Sequence, residues 1–140
     1  MIPESRLKHS YSVGKKMEEL AISRGWSQEV QQDLYTLGLN HDIGYEFMKE
    51  GENHAYIGGE ILRRSGYQYW REVYYHAGLQ DEYESDYLDI LMWADMQIDK
   101  DGNDVGFDER LEDIKSRYYY NHPEVYEKCV QMVEHVRNMY

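Results

Sequence analysis

Asn40-His41-Asp42-Ile43-Gly44 is the stretch on which the fold turns. A histidine followed directly by an aspartate offers an imidazole nitrogen and a carboxylate oxygen to one point. Val30, Leu34 and Leu37 recur at the three-to-four spacing of an amphipathic helix, and the next position on that stripe is His41. The pair therefore continues a buried face. Neighbouring helical residues point about 100° apart, so an ion shared by His41 and Asp42 has to sit between their directions. Gly44 is expected to let the chain turn away, and the acidic run Glu46 to Glu52 reads as a loop.

Outward from this stretch the same periodicity repeats. Upstream, Leu7, Tyr11, Met17, Leu20 and Ala21 mark a helix over 4–24 that contains His9, with Gly25 as its stop and Ser27 as the cap of the next helix. Downstream, Asn53 caps a helix carrying His54, Ile57, Ile61 and Leu62. The Gly58-Gly59 pair inside it weakens the helix and so implies close approach of another backbone. A short helix over 69–77 holds His76. Ser85 caps a helix with Leu88, Leu91, Met92, Asp95 and Ile98 on or near one face. After the turn Asp101-Gly102-Asn103, Asp108 and Pro123 start two more helices. No stretch alternates with period two, so the expected class is all-α, a bundle of six to seven helices.

His9, His54, His76 and Asp95 thus stand as partners for His41-Asp42, each expected on its own helix. Mixed imidazole and carboxylate donors without thiolate suit Fe, Mn, Co, Ni or Zn. His122, at a helix start beside Pro123, and His135, within the last helix, read instead as ordinary partly buried residues, each making one hydrogen bond.

Composition bounds the rest. A chain of 140 residues fits one domain over 1–140 and buries enough surface for a core without cross-links. Cys129 is the single cysteine, and Met1 to Lys16 is charged with no apolar leader-like region, so a reducing cytoplasm is expected. Apolar runs fall well short of the ~18 residues a membrane span needs. Fifteen basic against 27 acidic residues give a net charge of −12, which argues against a nucleic-acid binder that works by neutralising phosphates. It leaves open a small phosphorylated partner, because bound cations reverse the potential locally.

The words Arg6-Leu7-Lys8-His9-Ser10, Asn40-His41-Asp42-Ile43-Gly44 and Trp93-Ala94-Asp95, in that order, resemble the HD-domain superfamily of metal-dependent phosphohydrolases. His54 in His54-Ala55-Tyr56-Ile57-Gly58 and His76 in Tyr75-His76-Ala77-Gly78 resemble the extra histidines of members that hold two metals. The resemblance covers about 6–98, and the helices over 108–140 carry no motif of assignable chemistry. It implies the HD-domain architecture, a centre of one or two divalent ions and hydrolysis of a phosphoester or phosphoanhydride by a metal-activated water. Asp42 would bridge the ions, with His9, His41 and Asp95 completing one and His54 and His76 the other. Arg6, at the family's Arg-x-x-His position, would meet phosphoryl charge. Lys8, Arg63 and Arg64 read as solvated surface charge.

Similar dinuclear proteins cleave diadenosine tetraphosphate or mononucleotides. This chain is shorter than the former and lacks their arginine soon after the Ala-Asp word, where the next basic residues are Lys100 and Arg110. Tyr67, Tyr69, Trp70, Tyr74 and Tyr75 offer faces for stacking on a base, although aromatics at helical spacing are more often core. Two other functions fit the same residues: a mixed-valence di-iron oxygenase of the HD type, and a non-catalytic metal-binding module.

Overall fold

The structure is a computed structural model that describes residues 4–140; the single-domain expectation over 1–140 and the leader reading both include Met1–Pro3, which lie outside the described residues. Eight helices follow one another among the described residues: α1 (Glu4–Ser23), α2 (Gln28–Asn40), α3 (Gly44–Phe47), α4 (His54–Arg64), α5 (Trp70–Tyr74), α6 (Asp86–Asp95), α7 (Gly106–Tyr118) and α8 (Pro123–Val136). Among the described residues the only β-type pairing is an isolated bridge between Ile98 and Asp104. The class is all-α. No helix among the described residues is long and apolar enough to cross a membrane.

Local chemistry sets the helix starts. Ser27, Asn53 and Ser85 accept from the backbone N–H of Val30, Ala55 and Leu88, and Pro123 occupies the first turn of α8. α7 begins two residues before Asp108, on Gly106 at φ +80°. The one element not anticipated is α3, a single turn opening on Gly44, where the sequence implied a departure and a loop. Gly44 is not at positive φ. Its role is proximity: a Cβ there would lie 1.8 Å from the carbonyl oxygen of His54 and 2.8 Å from the Gly58 nitrogen. Gly58-Gly59 answers from the other side, with a Cβ on Gly59 falling 2.5 Å from Cβ of Tyr74. The glycine pair therefore lets α4 pack tightly between α3 and α5.

α6 is the axis of the molecule. Ile90, Leu91 and Ala94 face a core shared with Val13, Met17 and Leu20 of α1, Leu34 and Leu37 of α2, Leu62 and Val73. Leu88, Met92 and Met96 face a second core with Ile114 of α7 and Cys129, Met132, Val133 and Val136 of α8. A helix apolar on both sides has to be buried between layers, and α6 ends at that depth on Asp95. The five aromatics considered for base stacking do not line the cavity described below. Tyr67, Tyr69 and Trp70 pack against the first core, Tyr75 against the second, and Tyr74 against Gly59.

Candidate metal centre

The helix ends meet at one pole, and the six side chains named from sequence meet there with them. His9 projects from α1 and Asp95 is the last residue of α6, while His54 is the first of α4. His41 and Asp42 occupy the turn after α2, and His76 the turn after α5, so three of the six stand just beyond a helix rather than on one. The physical reason is polarity. C-terminal helix ends carry partial negative charge and favour a cation, and α2 and α6 both end here.

Three of the four imidazoles are held in one orientation. Nδ1 of His9 donates to the carbonyl of Asp99 at 2.9 Å, Nδ1 of His41 to that of Gly38 at 2.6 Å, and Nδ1 of His76 to that of Val73 at 2.6 Å. A carbonyl only accepts, so each Nδ1 carries the hydrogen and each neutral ring presents the lone pair of Nε2 to the centre. There, Nε2 of His9 lies 2.7 Å from Oδ1 of Asp95. Two lone pairs do not approach so closely unless a proton or another cation lies between them. Nε2 of His41, in a fully buried ring, is 3.4 Å from an oxygen of both Asp42 and Asp95 and hydrogen-bonds to neither. An orphaned buried donor atom beside two carboxylates fits a cation, since leaving it unpaired costs about 1–3 kcal/mol.

Asp42 sits between two sets of nitrogens. Its Oδ2 is 3.7 Å from His9 Nε2 and 3.4 Å from His41 Nε2; its Oδ1 is 3.4 Å from His54 Nε2 and 3.6 Å from His76 Nε2. Donor atoms of His9, His41 and Asp95 lie within 4.8 Å of one another, as do those of His41, Asp42 and His76. Both groups could hold a metal ion. His54 approaches from the solvent side, 3.3 Å from Nε2 of His76, with its ring stacked on Tyr45 at 4.2 Å.

The electrostatics follow from that crowding. Burial pulls the His41 imidazole down, but the Asp42 and Asp95 carboxylates outweigh it and lift its pKa to about 9. Burial likewise opposes ionisation of both carboxylates, and the histidines overcome it, so each lies well below the usual carboxylate range. His54 is lowered, chiefly by burial. Arg6 joins the cluster, its Nη1 3.4 Å from Oδ2 of Asp42 and its guanidinium 4.0 Å above the Tyr45 ring.

The centre opens into a cavity of about 590 Å³. Arg6, Tyr45 and the six clustered residues other than His41 line it, as do Arg110, Arg117 and Tyr118 of α7 and Lys128 of α8, whose three cations make that part of the wall cationic. The sequence offered no role for these two helices. A readable signal was the stripe Arg110, Ile114, Arg117, two arginines on one helical face with a core residue between them. Lys8 pairs with Glu4 at 3.8 Å, Arg63 lies over Trp70, and Arg64 is exposed, all away from the cavity. His135 pairs with Asp89 at 3.0 Å, whereas His122, although exposed and 3.4 Å from Glu124, stands on the cavity rim.

A family model, the HD domain, matches residues 6–131. The chain belongs to the HD-domain family. That match takes in α7 and most of α8, so the cationic wall is part of the HD domain and not an appendage to it. HD domains belong to a superfamily of metal-dependent hydrolases, and the buried His and Asp groups of this one have the donor set that such an ion requires. No curated protein and no solved structure matched the chain.

Proposed function

We propose that this HD domain is a metal-dependent phosphohydrolase that cleaves a phosphoester or phosphoanhydride of a small, nucleotide-like substrate. The observation that carries the reading is the placement of Asp42, whose two oxygens face two separate sets of histidine nitrogens. In this reading His9, His41 and Asp95 would hold one divalent ion and His54 and His76 a second, with Asp42 contributing to each. Fe, Mn, Co, Ni and Zn all suit these donors. When bound, such ions supply a hydroxide nucleophile near neutral pH and stabilise charge on phosphoryl oxygens.

The chain's own residues do the rest. The carbonyls of Asp99, Gly38 and Val73 hold the three rings with Nε2 inward, so no reorganisation is needed when substrate arrives. Arg6 is fixed between Asp42 and Tyr45, beside the cluster, and in this reading is the cation that meets charge developing on the phosphoryl oxygens. Five of the chain's fifteen lysines and arginines line this one cavity in a molecule of net charge −12, which supports an anionic substrate.

The test is elemental analysis of protein purified without chelator, then a phosphomonoester and nucleotide panel with Mn²⁺, Fe²⁺ or Co²⁺ restored. Phosphate release that depends on metal and vanishes in Asp42→Ala is expected. Iron-dependent oxygen consumption without phosphate release would move the assignment to an oxygenase, and metal binding with neither activity to a binding module.

A further inference from the structure

Beyond the histidine and carboxylate cluster, α7 and α8 bring three further cations to the cavity. Arg110, Ile114 and Arg117 share one face of α7; Ile114 is buried in the second core, and both arginines border the cavity. Arg110 is only 7% exposed and donates from Nε to the backbone carbonyl of Asp95 at 3.4 Å, so its guanidinium stands directly behind the metal centre. Arg117 donates from Nη2 to Asp113 at 2.9 Å, but its Nε is buried with no partner. Lys128 reaches the same space from α8, its carbon stem lying against Gly78, where a Cβ would come within 3.4 Å of Lys128 Cδ. A single carboxylate, Asp113, lies near both arginines, 3.8 Å from Nη1 of Arg110.

Arg110 is buried and Arg117 keeps an orphaned N–H while the two share one acid, Asp113, an arrangement that is costly unless an anion meets it. Both guanidinium groups reach the same Oδ2 of Asp113, so they converge on one point, and neither pairs with the carboxylate of Asp42 or Asp95. We infer that Arg110, Arg117 and Lys128 form a second anion subsite, which holds a phosphate of the substrate other than the one that reacts. The substrates are therefore molecules with two or more phosphate groups, not simple phosphomonoesters. This rests on the hydrolase reading and narrows its substrate class. The reaction itself is ordinary hydrolysis. Water oxygen bonds to phosphorus at the metal centre, the bond from that phosphorus to its leaving oxygen breaks with the electron pair going to that oxygen, and the water's protons go to the products or solvent.

Calorimetry of the metal-loaded protein with inorganic phosphate and with tripolyphosphate tests the subsite directly. Wild type is expected to bind tripolyphosphate at least about tenfold more tightly than phosphate, the effect of one or two charge-assisted hydrogen bonds. In Arg117→Gln/Lys128→Gln that preference should collapse toward unity at unchanged metal content, with Arg117→Lys recovering part of it. Both positions are partly exposed, so neither substitution threatens the fold. If wild type binds and hydrolyses phosphorylated substrates but shows no preference, or if the double variant keeps it, the subsite is overturned while the hydrolase reading stands. Metal-loaded wild type that binds neither anion and hydrolyses nothing overturns both.

Discussion

At the scale of single residues, the side chains that matter are fixed by what stands behind them. Asp42 is the clearest case, because its two oxygens have different neighbours. Asp42→Ala is expected to loosen both ions and abolish hydrolysis, whereas His76→Ala should leave one ion on His9, His41 and Asp95 and lower activity by orders of magnitude with the fold intact. Metal-to-protein ratios decide this: a wild-type value of one that is unchanged in His54→Ala and His76→Ala leaves a mononuclear centre. The histidine beside Asp42 gives a pH prediction. In metal-free protein His41 has a folded pKa of about 9, above the usual 6.5. Its protonation therefore stabilises the fold fully below pH 6.5, and this is lost as pH rises through about 9. The lowered pKa of His54 works only below its own unfolded value, outside that window. Melting temperature of chelator-treated protein should fall between those pH values, and the loss should be much smaller in loaded protein, where ligation has displaced the proton.

At the scale of elements, α3 and the turns before it are positioned by the absence of side chains. Gly44→Ala would drive a Cβ into the His54 carbonyl and the Gly58 nitrogen, backbone atoms that cannot swing aside. α3 must then part from α4. The expected cost is about 1–3 kcal/mol, the usual range for overpacking, together with displacement of His54 and a weakened second ion. Glu46→Ala, exposed on the same single turn, should change stability by less than about 0.5 kcal/mol. Denaturation midpoints and metal content of the two variants compare the effects side by side. Equal midpoints would mean that the α3 and α4 backbones are not in this contact.

At the scale of the whole molecule, the centre ties together segments from His9 to Asp95 that packing alone joins less firmly. Ions bound only by the folded chain add stability by mass action, about 4 kcal/mol at a thousandfold excess over the dissociation constant. For a chain of this size, chelation should lower the melting temperature by about ten degrees, recovered on adding metal back. An unchanged melt after verified removal of all metal would mean that the two cores hold the ends of α1, α2 and α6 together without help. The same architecture explains how an acidic protein offers a cationic cavity. α6 is sandwiched between two cores, so α7 and α8 pack beside the end of α6, and their arginines and lysine line the same cavity as the histidines.

Much of this was legible along the chain because it depends on neighbours within a turn or two. Helix class, the caps at Ser27, Asn53 and Ser85, the close approach at Gly58-Gly59 and the order of His9, His41-Asp42, His54, His76 and Asp95 are all local patterns of period and side-chain chemistry. What the tertiary structure decided involves residues far apart in sequence. The carbonyl that orients His9 belongs to Asp99, the atoms that forbid a side chain on Gly44 belong to α4, and the guanidinium behind Asp95 comes from α7. No periodicity encodes such contacts. They follow only once the two cores have set where each helix ends, and a helix end is where a backbone carbonyl is free to hold a ring and a cation is electrostatically favoured.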